Sequence, residues 1–175
     1  SPSAAAIVDC LGIENGDVVL DVCAAPGTKT LQLANLVGSS GFVYASDISS
    51  DRVYIGQKDE ERHGKKNINW SIKDARKDAY FKADKILIDA PCSGTGVIGR
   101  RTDIRWRRRE SDLKKFANVQ LSIINNCAKY LKKSGTLVYA TCSIEPEENL
   151  MIVDQFLNLN SNFVLILDTI FILIR

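Results

Sequence analysis

The motif that most constrains this chain is a short apolar segment that ends in Asp89-Ala90-Pro91-Cys92-Ser93-Gly94-Thr95-Gly96. The preceding residues, Lys85-Ile86-Leu87-Ile88, are typical of a buried strand. Pro91 fixes its own φ and lacks a donor, so the strand must end there, and Gly94 and Gly96 permit backbone geometry that other residues resist. The pattern places a carboxylate and a thiol at the carboxyl end of a strand, where open α/β sheets bind ligands.

A second thiol stands in the same kind of place. It belongs to Val138-Tyr139-Ala140-Thr141-Cys142-Ser143, which predicts the end of another apolar strand. Because ligands bind beyond the carboxyl ends of parallel strands, Cys92, Cys142 and Asp89 together outline a reaction site.

Composition narrows the class of protein. A chain of 175 residues, 45% apolar and 25% charged, is ordinary for one globular domain. Five cysteines, an odd number without a CxxC spacing, and one histidine, His63, favour reduced thiols over a disulfide framework or a zinc site. The sequence shows no signal peptide and no apolar run long enough to span a bilayer, which predicts a cytoplasmic protein.

Segments typical of strands alternate with segments typical of helices. Strands are predicted over residues 17–22, 42–47, 67–73, 83–89, 136–141, 163–167 and 171–174. Helices are predicted over residues 4–11, 28–37, 50–63, 111–134 and 146–159. In this interpretation Gly135 ends the fourth helix and Pro146 opens the fifth. The alternation predicts an α/β fold, with a mostly parallel sheet covered by helices on both faces.

The loop after the first strand has the features of a cofactor site. In Asp21-Val22-Cys23-Ala24-Ala25-Pro26-Gly27-Thr28-Lys29-Thr30, small residues let a ligand approach the backbone, and the next helix begins with unpaired N–H groups. The loop matches neither the GxGxxG fingerprint nor a P-loop. Asp47, Asp74 and Asp89 each follow a strand, which one ligand lying across the strand tips would explain. S-adenosylmethionine has the hydroxyls, the amine and the adenine edge to use them.

Basic residues are concentrated between the two thiol motifs. The cluster comprises Arg100, Arg101, Arg105, Arg107, Arg108 and Arg109, opposed by Asp103. Two interpretations stay open, a solvated start of a helix and a surface for nucleic-acid phosphates. Trp106, among these arginines, either stacks on a base or covers the edge of the sheet.

Together these motifs resemble those of the NOL1/NOP2/Sun RNA cytosine-C5 methyltransferases. The resemblance rests on residues 21–30, 89–96, 98–108, 140–143 and Glu145-Pro146-Glu147-Glu148-Asn149. The sequence is most similar to the bacterial Sun/Fmu type, which modifies small-subunit ribosomal RNA. The resemblance implies a Rossmann-like S-adenosylmethionine-dependent methyltransferase fold with a seven-stranded sheet over residues 1–175. It also implies RNA as the partner and a monomer as the acting form.

The resemblance assigns roles to individual residues. Cys142 corresponds to the catalytic nucleophile, Cys92 to a second cysteine that helps release the methylated product, and Lys29 and Asp89 lie beside the reacting base. The implied S-adenosylmethionine site consists of Cys23, Ala24, Ala25, Pro26, Gly27, Lys29, Asp47, Arg52, Asp74 and Asp89. No metal is implied.

The sequence departs from the family pattern in places. Thr28 replaces a second glycine, and the closing segment 167–171 is shorter than the usual last hairpin. The family's upstream RNA-guiding region is expected to be absent.

The chemistry of cytosine explains why such residues are needed. C5 is a poor nucleophile until a thiolate adds to C6. C5 can then take a methyl group from a sulfonium, lose its proton and release the thiol. Lys29 as a neighbouring cation would raise the thiolate fraction. Asp89 would either donate to N3 of the base when protonated or orient base or cofactor as a carboxylate, and Cys92 would take the C5 proton or assist elimination.

Alternatives remain. Cys92 is the alternative attacking thiol, because DNA cytosine methyltransferases use a Pro-Cys thiol. The chain could also be an RNA-binding ribosome-assembly factor that keeps the fold without turnover, although the intact reactive residues argue against it. A methyltransferase acting on protein or small molecules would leave the arginines and the second thiol without an evident use.

Overall fold

A computed structural model describes residues 2–99, 102–107, 109–167 and 171–174. Arg100, Arg101 and Arg108 of the predicted basic cluster lie outside the described residues, as do residues 168–170 of the closing segment. The predicted phosphate-binding role of those arginines therefore stays a prediction.

Strands and helices alternate along the described residues. The strands are β1 (Val18–Val22), β2 (Phe42–Asp47), β3 (Ile68–Ile72), β4 (Ala83–Asp89), β5 (Leu131–Ala140), β6 (Val164–Leu167) and β7 (Phe171–Ile174). The α-helices are α1 (Pro2–Asp9), α2 (Thr28–Leu36), α3 (Ser50–Arg62), α4 (Ile104–Arg107), α5 (Glu110–Cys127) and α6 (Leu150–Leu159). Short 3-10 turns span Thr95–Val97, Ala128–Tyr130 and Pro146–Glu148.

The strands form one sheet in the order β3-β2-β1-β4-β5-β7-β6. The first five in that order are parallel, and β7 runs antiparallel to both β5 and β6. The predicted α/β fold with a mostly parallel sheet is confirmed. The central strands β1 and β4 are rich in Val, Leu and Ile because helices cover both of their faces.

Each face of the sheet has its own apolar layer. On one face, α5 and α6 pack against the strands through buried residues such as Ile124 and Phe156. On the other face, α1 and α2 contribute Val8 and Leu33. The two layers fix the sheet between helices, so the loops at the carboxyl ends of the strands extend from a rigid support.

The register of the parallel strands gathers the predicted site at one edge. Val22 pairs with Ser46 on one side and with Ile88 on the other, and Asp89 pairs with Ala140. The loops that follow these strands carry the cofactor motif and both thiol motifs. They therefore meet at the carboxyl edge, as the sequence predicts.

Two predicted boundaries are wrong. Helix α5 ends at Cys127 rather than near Gly135, because the chain turns through Ala128–Tyr130 and enters β5 at Leu131. Gly135 lies inside β5, where a Cβ atom would come within 2.7 Å of the Asp84 carbonyl oxygen. This glycine therefore permits close approach of two strands and does not end a helix.

The second wrong boundary is the helix predicted to open at Pro146. Residues Pro146–Glu148 form a 3-10 turn, and the α-helix begins at Leu150. The turn offsets the helix from the Cys142 loop, which places Glu148 and Asn149 between them.

We expect the substitution Leu87→Ala to lower the free energy of unfolding by about 2–5 kcal/mol, because Leu87 is fully buried at the centre of β4. The matched control is Leu159→Ala, at a side chain that is 71% exposed, where we expect a change within about 0.5 kcal/mol. Urea denaturation followed by circular dichroism measures both. Equal losses in the two variants would contradict the described packing.

Candidate active site

The two thiols of the predicted reaction site lie in contact. The Sγ atoms of Cys92 and Cys142 are 3.0 Å apart, and the backbone N–H of Cys142 donates to Cys92 Sγ at 3.3 Å. Gly96 makes this approach possible, because its N–H donates to the Cys142 carbonyl oxygen at 3.0 Å and a Cβ atom there would come within 2.9 Å of that oxygen. Gly94 adopts a left-handed φ of 79°. Both glycines thus serve the loop geometry that the sequence predicts.

The two sulfur atoms differ in their tendency to ionise. The hydrogen bond with Cys92 lowers the pKa of the Cys142 thiol to about 7, against the opposing effects of burial and of the Asp89 charge. The same contact, together with burial, raises the pKa of the Cys92 thiol. Because Cys142 is more exposed than Cys92, the negative charge is better solvated on Cys142. Cys142 is therefore the thiol that ionises first.

Lys29 and Asp89 form an ion pair beside the thiols. Lys29 Nζ lies 2.7 Å from Asp89 Oδ2, joining the first turn of α2 to the end of β4. The structure thus brings together the two residues that the resemblance places beside the reacting base. The Lys29 charge is engaged by Asp89, and the main cause of the lowered Cys142 pKa is the hydrogen bond with Cys92.

The loop between β1 and α2 is held by the end of β2 and by α3. Asp47 accepts a hydrogen bond from the Ala25 N–H at 3.3 Å, and Arg52 donates to the Ala25 carbonyl oxygen. Gly27 has a left-handed φ of 107° and lies against the Trp70 ring, where a Cβ atom would come within 3.1 Å. Asp47 and Arg52 also lie within ion-pair distance, 3.4 Å, so one network fixes the loop.

A cleft of about 250 Å³ opens next to this loop. Of the residues predicted to bind the cofactor, four line it, namely Cys23, Asp47, Arg52 and Asp74. Its apolar walls come from Ile48, Ala75, Val119 and Ile123, and its other lining residues are Lys73, Arg76 and Pro91. Ala24, Ala25, Pro26, Gly27, Lys29 and Asp89 do not belong to the lining, although Pro91 connects the cleft to the Cys92 loop.

Asp74 is already engaged by a residue that sequence reasoning missed. The guanidinium of Arg76 donates to both carboxylate oxygens of Asp74, at 2.8 and 2.7 Å. This contact is the main reason that the pKa of Asp74 is lowered to about 2. The carboxylate therefore presents a fixed negative charge, shared with Arg76, to the cleft.

Other residues near the site stand in the quoted motifs, but sequence reasoning gave them no role. Asp21 is fully buried within β1, where burial raises the pKa of its carboxyl to about 7 while the Thr30 hydroxyl donates to it at 2.6 Å. An acid inside an otherwise apolar strand is the signal that could have found it. Glu148 is likewise fully buried, and with Asn149 it lies behind the two thiol loops.

The other predicted side chains take simpler positions. Trp106, on α4, is 85% exposed, which excludes the interpretation that it covers the edge of the sheet. Cys127 is fully buried in the core, and His63 is exposed at the end of α3.

Across the described residues, no three His, Cys, Asp or Glu side chains are grouped to hold a metal ion. No helix in the described part of the chain is long and apolar enough to cross a membrane.

Comparison with known proteins agrees with this geometry. Residues 8–171 match the model of the family described as 16S rRNA methyltransferase RsmB/F. The chain belongs to this family. The resemblance to Sun-type RNA methyltransferases is thereby confirmed, and so, for the family, is the dependence on S-adenosylmethionine.

Individual relatives extend the comparison. Ribosomal RNA small subunit methyltransferase B from Photorhabdus laumondii is 42% identical over 166 residues, which are 91% of this chain and 38% of that protein. Probable ribosomal RNA small subunit methyltransferase B from Bacillus subtilis is 35% identical over 161 residues, which are 90% of this chain and 36% of that protein. The crystal structure of NSun6 from Pyrococcus horikoshii with SFG matches with a TM-score of 0.85 and 34% identity. The match covers 96% of this chain and 43% of the NSun6 chain. The chain thus spans well under half the length of these relatives.

The contact between the thiols predicts the pH dependence of Cys142 reactivity. In the unmodified protein, alkylation of Cys142 by iodoacetamide should reach half its maximal rate near pH 7, because only the thiolate reacts. In Cys92→Ala the stabilising hydrogen bond is lost, so the half-maximal rate should move to higher pH. Peptide mass spectrometry across a pH series measures this. An unchanged profile in Cys92→Ala would contradict the assigned cause.

Proposed function

We propose that residues 1–175 form the catalytic domain of an S-adenosylmethionine-dependent methyltransferase that acts on cytosine C5 in ribosomal RNA, with small-subunit 16S rRNA as the substrate. The observation that carries this proposal is the pair of thiols 3.0 Å apart, at the ends of two adjacent parallel strands and beside an ion pair. A cytoplasmic location, as predicted from the sequence, accompanies the proposal.

The cleft fits the proposed cofactor in its chemistry. Asp47, nearly fully buried at the end of β2, offers a carboxylate for ribose hydroxyls, as acids at this position do in related sheets. Ile48 and Ile123 provide apolar walls for the adenine ring. The backbone of residues 23–27 and the start of α2 would hold the amino-acid end. When bound, S-adenosylmethionine supplies an electrophilic methyl group on a sulfonium.

The proposed reaction assigns each site residue one task. The Cys142 thiolate adds its electron pair to C6 of cytosine, which makes C5 nucleophilic enough to take the methyl group. The C5 proton then passes to water at the exposed Cys142 site, the electron pair of the C5–H bond re-forms the C5–C6 double bond, and the Cys142 thiolate leaves. Exposure and a pKa of about 7 suit Cys142 to the attack at neutral pH. The raised pKa of Cys92 suits it to remaining a thiol, which can donate to the sulfur of Cys142 as that sulfur departs.

Lys29 and Asp89 would position the base. As an ion pair they present both a donor and an acceptor at the carboxyl end of β4, next to Cys92. A cytosine must leave its stack to meet them, which favours RNA in loops or single strands. The exposed ring of Trp106 supports stacking on a neighbouring base. A protein that only binds RNA would have no use for an ionisable thiol pair.

The roles of the two cysteines are separable with an RNA that carries 5-fluorocytosine, because fluorine at C5 blocks release of the covalent adduct. We expect Cys92→Ala to form the adduct and Cys142→Ala to form none. Denaturing gel electrophoresis detects the adduct, and Cys10→Ala, at a thiol outside the site, is the matched control. An adduct that forms only in Cys142→Ala would reverse the assignment.

Asp47 is expected to hold the cofactor. Replacing it by Asn removes one charged acceptor, worth about 1.5–3 kcal/mol, so the affinity for S-adenosylmethionine should fall about 10- to 100-fold. Asp51→Asn, on the exposed side of α3, is the control and should bind normally. Isothermal titration calorimetry measures both. Equal affinities in the two variants would remove Asp47 from the cofactor site.

A further inference from the structure

Two consecutive side chains, Glu148 and Asn149, lie between the Cys142 loop and helix α6. Glu148 ends the 3-10 turn Pro146–Glu148, and Asn149 directly precedes α6, whose residues Ile152, Val153 and Phe156 are buried. The reaction proposed above gives neither of them a task. Their hydrogen bonds nevertheless reach the two loops that carry the thiols, one loop each.

Glu148 holds the Cys92 loop. Its carboxylate is fully buried and accepts from the Ser93 N–H at 2.8 Å, from the Ser93 hydroxyl, and from Gln120 Nε2 at 3.0 Å. Gln120 Nε2 also donates to the Pro91 carbonyl oxygen at 2.9 Å. The residues on both sides of Cys92 are therefore tied, directly or through Gln120, to Glu148.

Asn149 holds the Cys142 loop in the same way. Its Oδ1 accepts from the Thr141 hydroxyl at 2.7 Å. Its Nδ2 donates to the carbonyl oxygens of Ser143, at 3.0 Å, and of Glu145, at 2.9 Å. The residues on both sides of Cys142 are thus fixed by one carboxamide.

The two halves of this network are joined to each other and to the sheet. Ser143 Oγ lies 3.2 Å from Ser93 Oγ and 3.1 Å from Thr95 Oγ1, so hydroxyls cross from one thiol loop to the other. The Tyr139 hydroxyl donates to the Glu148 carbonyl oxygen at 2.7 Å, which fixes the backbone of the pair to β5. A displacement of either side chain would therefore move one sulfur relative to the other.

The geometry points to Glu148 and Asn149 as positioning residues that hold the Cys92 and Cys142 sulfur atoms at working distance. This inference rests on the proposed function, since the distance matters for a reaction that uses both thiols. Its physical basis is that a misplacement of about 1 Å at reacting groups costs about 100-fold in rate. Neither residue touches the reacting atoms.

The buried charge of Glu148 gives a second way to test its role, through the pKa of the Cys142 thiol. It is among the groups that raise the pKa of Cys142. In Glu148→Gln the amide oxygen can keep the bonds from the Ser93 N–H and Gln120, and the amide nitrogen can donate to the Ser93 hydroxyl. This variant therefore removes the charge while it leaves the contacts available, whereas Asn149→Ala removes contacts without a change of charge.

The experiment compares Asn149→Ala, Glu148→Gln and the control Glu147→Gln, an exposed neighbour of the same chemistry. Thiol proximity is read from the rate at which diamide, which takes up two electrons and two protons, joins Cys92 and Cys142 as a disulfide. Mass spectrometry identifies the linked peptide. Methyl transfer to ribosomal RNA gives kcat and the KM for S-adenosylmethionine, and circular dichroism confirms that each variant is folded.

We expect Asn149→Ala to slow disulfide formation and to lower kcat by about 10- to 100-fold with little change in KM. Glu148→Gln should move the half-maximal alkylation of Cys142 to lower pH, and Glu147→Gln should match the unmodified protein. A folded Asn149→Ala variant with normal disulfide formation and kcat overturns the inference. The inference is also overturned if the fall in kcat is fully explained by a smaller fraction of folded protein.

The thiol measurements need no RNA, which separates the two proposals. An unmodified protein that transfers no methyl group and forms no adduct contradicts the proposed function. Thiol proximity that depends on Asn149 would still support the positioning role in that case. If the unmodified protein transfers methyl groups normally and Asn149→Ala forms the disulfide at the unmodified rate, only the positioning role is contradicted.

Discussion

The parallel pairing of β4 with β5 is the constraint on which the site depends. Its register sets Asp89 level with Ala140, so the chain leaves both strands at the same height and the two following loops run side by side. Each loop carries a cysteine within three residues of its strand, and the sulfur atoms meet at 3.0 Å. A shift of this register by one residue would turn the side chains of one strand to the opposite face of the sheet and separate the thiols.

Contact between two thiols has a chemical consequence that neither would have alone. A hydrogen bond to the charged form of one group favours its ionisation and disfavours that of the donor. Here the effect divides the pair into a thiolate former, Cys142, and a thiol that keeps its proton, Cys92. The proposed reaction needs both states at once, one sulfur to attack a ring and another to assist its release. The polar residues behind the loops keep the pair together.

The sequence predicts the α/β layers and the edge at which the site forms, because those depend on local patterns. Apolar runs ending in Asp-Ala-Pro-Cys or Thr-Cys mark strand ends without knowledge of the rest of the chain. The sequence places the end of α5 too far along the chain, because Gly135 there resembles a glycine that ends a helix. Gly135 is instead required by the close approach of the Asp84 backbone, a contact between residues far apart in the chain. For the same reason the roles of Arg76, Glu148 and Asn149 depend on partners that only the folded chain brings near.

The most direct measurement of the central claim uses ribosomal RNA labelled with tritium at C5 of cytosine. If Cys142 adds to C6 and the methyl group replaces the C5 hydrogen, tritium is released to water in step with methyl transfer. Cys142→Ala should then show neither event. Methyl transfer with the tritium retained, or undiminished transfer by Cys142→Ala, would contradict the account.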